Sequence, residues 1–160
     1  MTRGDVDPSR IAFEISEGAA VKNFPKANRF IERVRSLGCE LALDDFGSGF
    51  SHFAYLKKLS FDYLKIDGSL VHNIATNDID NQMVAAINQI GHSVGARTIA
   101  EFVEDDESLR CLREISVDYA QGYGLRMPAP LEQLADELDG VVDTTDEQVE
   151  STIDPMRKAS

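Results

Sequence analysis

Apolar residues along this chain alternate between two patterns. Short runs suit buried strands, and longer segments repeat every three or four positions, as on one face of a helix. The first run, Ile11-Ala12-Phe13-Glu14-Ile15, predicts a strand interrupted by Glu14. Over 23–37, Phe24, Ala27, Phe30, Ile31, Val34 and Leu37 keep helical spacing, with Pro25 suited to a first turn and Gly38 to a C-terminal cap. Leu41-Ala42-Leu43 predicts a second strand that runs into Asp44 and Asp45. A short helix is expected over 51–59, a strand over 62–67 with Lys65 among apolar neighbours, and a short helix over 69–74. A longer helix is expected over 78–94, with Ile79, Met83, Ala86, Ile87, Ile90 and Val94 on one face. Asn77 or Asp78 suits its N-cap and Gly95 its stop. Residues 98–101 predict a strand ending in Glu101, 106–115 a helix, 118–123 a last strand and turn, and 130–138 a last helix.

Strands and helices therefore alternate, which predicts an α/β fold with a parallel sheet, either a (β/α) barrel or an open sheet. Residues 1–10 read as a polar lead-in, 11–138 as one domain, and 139–160 as a flexible acidic tail. Glu14, the Asp44/Asp45 pair, Lys65, Glu101 and Gln121 fall in or at the C-terminal ends of successive strands. Both fold types place their ligand site there. One acidic strand end carries little information, because Asp-Asp pairs are common in solvated turns. Polar groups on all five strands make a shared site the economical explanation.

Glu14, Asp44 and Asp45 offer hard oxygen donors, which suit Mg²⁺ or Mn²⁺ and not a thiolate zinc site. Three carboxylates brought together repel unless neutralised. Lys65 is one internal counter-charge, and two metal ions would be a stronger one. Glu101 suits a general base or a water-positioning group, and Gln121 can contact a ligand or a bound water without adding charge. Plainer roles compete. Lys65 can snorkel from a strand edge, and Glu17 can serve as a helix N-terminal charge. Glu104 and the run Asp105-Asp106-Glu107 read as a helix start. His52, His72 and His92 keep no ligand spacing, and neither a GxSxG elbow nor a P-loop is present. The two-glycine segment 46–51 reads as a loop over the site.

Composition narrows the field. A net charge of −12 argues against nonspecific nucleic-acid binding, while leaving room for a small phosphorylated ligand held through metal. Cys39 and Cys111 suit a reducing cytosol. No apolar run approaches a membrane span, so a cytoplasmic location is expected, with any anchor placed outside these residues.

Five stretches together resemble the EAL-domain cyclic di-GMP phosphodiesterases. They are Phe13-Glu14-Ile15-Ser16-Glu17, Asp44-Asp45-Phe46-Gly47-Ser48-Gly49-Phe50-Ser51, Tyr63-Leu64-Lys65-Ile66-Asp67, Ile99-Ala100-Glu101-Phe102-Val103-Glu104 and Asp118-Tyr119-Ala120-Gln121-Gly122-Tyr123. The resemblance implies a partial TIM-type (β/α) barrel of about five parallel strands. It also implies Mg²⁺- or Mn²⁺-dependent hydrolysis of cyclic di-GMP to the linear dinucleotide. Glu14, Asp44 and Asp45 match the family's metal ligands, Lys65 its lysine near the metal-bound water, and Glu101 its proposed base. Gln121, Glu17 and Glu104 match positions that contact the substrate or hold the loop.

The sequence also departs from the family pattern. The Glu-Ala-Leu motif and a metal-binding asparagine on the next strand are absent from these 160 residues. Phe102 replaces a usual glycine, Arg126-Met127-Pro128 a usual Ser-Arg-Pro, and His52 a usual serine. The chain is thus expected to begin near the fourth strand of the barrel. It would be completed by a missing N-terminal part or by a homo-oligomer. The resemblance points to a phosphodiesterase domain, truncated and weakly active or inactive alone. The alternatives are an inactive cyclic di-GMP-binding or protein-interaction module, or a metal-binding domain for another phosphoester.

Overall fold

Five parallel strands lie side by side in chain order: β1 (Ala12–Ser16), β2 (Glu40–Phe46), β3 (Tyr63–Ile66), β4 (Arg97–Ala100) and β5 (Tyr119–Ala120). The computed structural model describes residues 6–49 and 56–130. A 3₁₀ turn at Pro8–Arg10 precedes β1. Helices α1 (Glu17–Lys22) and α2 (Phe24–Ser36) connect β1 to β2. Helices α3 (Gly68–Val71) and α4 (Asp78–Ser93) connect β3 to β4, and α5 (Asp106–Ile115) connects β4 to β5. A doubly wound sheet reverses its strand order at a switch point, whereas this strictly sequential order is that of a barrel wall. The expected helices over 51–59 and 130–138, and the tail over 139–160, lie wholly or mostly outside the described residues.

The two faces of the sheet have different chemistry. Leu41, Leu43, Leu64, Ile66, Thr98 and Ala100 are fully buried beneath the helices. Each large aliphatic among them contributes about 1.5–3 kcal/mol by leaving water. The opposite face carries Glu14, Glu40, Asp44, Tyr63, Lys65 and Arg97. This alternation follows from the two-residue period of a strand.

Local caps explain several helix ends. Asn23 opens α2 by accepting from the Lys26 N–H at 3.2 Å, and Gly38 closes it at φ 82°. Asn77 opens α4 by accepting from the Ile79 N–H at 2.9 Å. Helix α1 was not expected from the periodicity. It follows β1 directly and is capped by the Ser16 hydroxyl, which accepts from the Ala19 N–H.

Helix α4 corrects the expected packing face. Its buried residues are Val84, Ile87, Asn88 and Gly91, while Ile79, Met83 and Val94 stay exposed. The most apolar stripe is not the one that meets the sheet. A Cβ at Gly91 would sit 2.7 Å from Thr98 Cγ2, so the helix backbone comes close where a larger side chain would hold it off. Asn88 sets the rotation by donating to the carbonyls of Ile115 and Ser116 at 3.0 and 3.2 Å, tying α4 to the end of α5.

Candidate functional site

Adjacent residues on a regular strand point to opposite faces, so Asp44 and Asp45 could not share a site without a distortion of β2. The distortion is present. Pairing between β2 and β3 loses register between Leu43 and Phe46, and Asp45 takes a left-handed backbone at φ 59°. Such a conformation costs about 1 kcal/mol in a residue with a Cβ. With Glu101, which follows β4, the two aspartates bring one carboxylate oxygen each to within 4.8 Å of one another.

The loop after the pair is pinned from below. Gly47 has φ 97°, and a Cβ there would lie 2.8 Å from Leu70 Cδ1 on α3. The Asp67 N–H donates to the Phe46 carbonyl at 3.0 Å. Residues 50 and 51 of this loop lie outside the described residues.

Lys65 stands at the centre. It projects from β3, an inner strand, and is 4% exposed. Its Nζ lies 3.0 Å from Glu14 Oε2, 3.0 Å from Asp44 Oδ1 and 2.8 Å from Glu101 Oε1. The burial does not match a snorkelling lysine at a strand edge. Burial alone would discharge the amine, but the three carboxylates outweigh it and hold the ammonium above its ordinary pKa. Glu101 is pushed above the usual carboxylate range, first by burial and then by Asp44 and Asp45, with Lys65 opposing.

The turn that aims Glu101 is also strained. Phe102 has φ 55°, and a Cβ at Gly68 would overlap its ring, so the ring seats directly on that glycine. The ring is 63% exposed on its other side. It walls a cavity of about 260 Å³ lined also by Glu101, Glu104, Gln121, Tyr123 and Pro128. Phe102 therefore borders the site without filling it.

The remaining expected residues spread outward. Gln121 follows β5, its N–H donating to the Ala100 carbonyl at 2.8 Å and its carbonyl accepting from the Val103 N–H at 3.0 Å. Glu14, on edge strand β1, has a side chain 53% exposed and reaches the cluster through Lys65. Glu17 is the buried first residue of α1, a helix N-terminal position. Glu104 is exposed and lies 3.6 Å from His72 Nδ1. Asp105 caps α5 by accepting from the Ser108 N–H at 2.7 Å, which holds its carboxyl below the usual range. His92 pairs with Asp118 at 2.8 Å on the helix-covered side.

Sequence reasoning missed a second polar layer on the same face, nearer the strand starts. Arg97 Nη2 donates to Glu40 Oε1 at 3.1 Å and to the Tyr63 hydroxyl at 2.6 Å, and its Nη1 donates to the Tyr119 hydroxyl at 3.0 Å. Tyr63 donates to Glu40 Oε2 at 2.8 Å. The guanidinium lies 4.4 Å from the Tyr63 ring centroid. Burial and Glu40 push the Tyr63 hydroxyl up to about 12. The signal was available in the two-residue period, which puts Tyr63 beneath Lys65 and Tyr119 beneath Gln121.

The upper cluster fits a divalent cation. Its donors are hard oxygens in negative excess. Asp44 Oδ1 is buried and accepts no aligned hydrogen bond, although the Lys65 ammonium is within ion-pair distance.

Residues 1–128 match the EAL domain, and the chain belongs to that family. The chain is 42% identical over 127 residues to the cyclic di-GMP phosphodiesterase PdeB of Shewanella oneidensis, covering 79% of this chain and 15% of that protein. Among solved structures it resembles a c-di-GMP complex of the PaMucR phosphodiesterase, with TM-score 0.75 and 31% identity over 81% of this chain and 52% of that one. It also resembles a calcium/cy-diGMP complex of Klebsiella pneumoniae BlrP1, with TM-score 0.73 and 27% identity over 78% of this chain and 32% of that one. The chain thus spans about half of the PaMucR chain and a smaller share of the other two. Among the described residues no helix is long and apolar enough to cross a membrane.

Proposed function

We propose that this chain carries the greater part of a metal-dependent cyclic di-GMP phosphodiesterase site. The observation that supports it best is the convergence of Asp44, Asp45 and Glu101 beside buried Lys65, on a chain of the EAL family. Asp44, Asp45 and Glu14 would hold Mg²⁺ or Mn²⁺. The bound cation would neutralise a phosphodiester oxygen and acidify a water. Glu101, raised by burial, accepts the proton of the attacking water. Lys65 faces Glu101 and supplies positive charge where the attacked phosphate gains negative charge. Water oxygen bonds to phosphorus as its proton passes to Glu101, the ester bond to the 3′ oxygen breaks, and that oxygen leaves taking a proton from solvent, giving the linear dinucleotide. Gln121 and Glu104 line the adjoining cavity and contact the nucleotide. Glu17 acts at the base of the loop.

A second reading has its own support. Among the described residues Glu14 stands half-exposed on edge strand β1 and nothing closes the site on that side. The chain would then bind the nucleotide without hydrolysing it unless further strands or a second copy close that edge. The deciding experiment incubates the purified chain with cyclic di-GMP and Mg²⁺ or Mn²⁺ and follows the linear product, with Asp44→Asn as control. Cation-dependent product that disappears in the variant is expected. Binding without turnover favours the second reading, and absence of both overturns each.

A further inference from the structure

We infer that Lys65 is a built-in counter-ion, whose buried ammonium holds the carboxylates of Glu14, Asp44 and Glu101 together when no divalent cation is bound and yields that task to the cation when one binds. The cation half of the inference rests on the metal site proposed above. The bracing half rests on this chain's own geometry.

Three carboxylates, from β1, β2 and the turn after β4, meet one ammonium at 2.8–3.0 Å. Lys65 projects from β3, which pairs directly with β2 and β4. Its side chain is 5% exposed, so water cannot take over the charge. Asp45 adds a fourth carboxylate at the same place. One positive charge against four negative ones keeps the cluster assembled but leaves it short of cation. Asp44 Oδ1, buried and 3.0 Å from the ammonium but without an aligned hydrogen bond, is where that shortage shows. A divalent cation bound there would remove the repulsion that Lys65 only partly offsets. A lysine serving the reaction alone would not need to reach Glu14, whose carboxylate extends from the sheet edge to accept an aligned hydrogen bond from it.

The test is the thermal unfolding midpoint of the whole chain, measured with EDTA and with Mn²⁺ at matched ionic strength, without nucleotide. Lys65→Met keeps the apolar stem and removes the charge. Its EDTA midpoint is expected to fall by roughly 5–10 °C, because a buried partner is lost. Mn²⁺ is expected to raise the midpoint of Lys65→Met by more than it raises that of the parent chain. Adding Glu14→Gln to Lys65→Met is expected to recover part of the EDTA loss, since one repelling charge is gone. If Lys65→Met does not fold in EDTA, recovery in the double variant or in Mn²⁺ supports the brace. An unchanged EDTA midpoint, no larger response to Mn²⁺, or no recovery in the double variant overturns it. The readout involves no nucleotide, so a chain that hydrolyses nothing yet shows this pattern rejects the phosphodiesterase reading and keeps the brace.

Discussion

Two polar layers sit one above the other on the same strands, and they are built on opposite principles. The lower one, Glu40–Tyr63–Arg97–Tyr119, contains one cation, one anion and two hydroxyls, and its members bond to one another. The upper one sets Glu14, Asp44, Asp45 and Glu101 against Lys65, and leaves a buried oxygen without an aligned hydrogen bond. A satisfied buried network stabilises and specifies a fold, whereas an unsatisfied one costs stability and is kept where a ligand completes it. Position agrees, because parallel α/β folds bind at the C-terminal ends of their strands and use the other end for stability.

Four substitutions test that contrast. Asp44→Asn should weaken Mn²⁺ binding, measured by calorimetry, at least tenfold, on the scale seen when the surroundings of a metal site are altered. An unchanged affinity would dissolve the contrast, since the upper layer would then be as self-contained as the lower. Arg97→Met should cost about 1–2 kcal/mol in denaturant unfolding, a value discounted for the side chain's 47% exposure. It should leave Mn²⁺ affinity unchanged, and a large loss of affinity would show that the two layers act as one.

Asp118 belongs to neither layer and serves as the control. Its Oδ2 accepts from the Thr98 N–H at 2.7 Å and meets His92 Nε2 at 2.8 Å. These bonds hold its carboxyl below the usual range despite partial burial. A depressed carboxylate stabilises the fold above its unfolded pKa of about 3.9 and loses that effect as pH falls through the folded value. Asp118→Asn should therefore cost about 1 kcal/mol at neutral pH, and the difference should vanish in strong acid. A constant difference across pH would assign the effect to packing.

The smallest effect is expected from Tyr63→Phe, about 0.5 kcal/mol at neutral pH. Its diagnostic is alkaline. A hydroxyl raised to about 12 stabilises the fold fully below its unfolded value near 10 and loses that contribution as pH rises toward 12. The variant should lack that decline in an unfolding series over the window.

The alternation of strands and helices was legible because the apolar runs kept distinct periods, several of them bounded by glycine or proline such as Pro25, Gly38, Gly68 and Gly95. So were the acidic strand ends, since Asp44, Asp45 and Glu101 each interrupt or close an apolar run. The bulge was not legible, because only the left-handed backbone at Asp45 brings neighbouring carboxylates to one place, and nothing in an Asp-Asp pair demands it. The inward face of α4 was misread for a related reason. Apolar spacing ranked Ile79 and Met83 above Gly91, while the sheet selected the residue that lets backbones approach. The lower layer escaped notice because Glu40, Tyr63, Arg97 and Tyr119 are far apart in sequence and converge only when the strands pair in register.

The seat of Phe102 on Gly68 has an evolutionary consequence. Gly68 opens a short helix, a place that does not itself require glycine. The ring above it opposes any exchange, because a Cβ there would overlap Phe102. The two positions should therefore drift as a pair. A lineage that trades Phe102 for glycine frees position 68 to gain a side chain, and one that keeps the phenylalanine keeps the glycine beneath it.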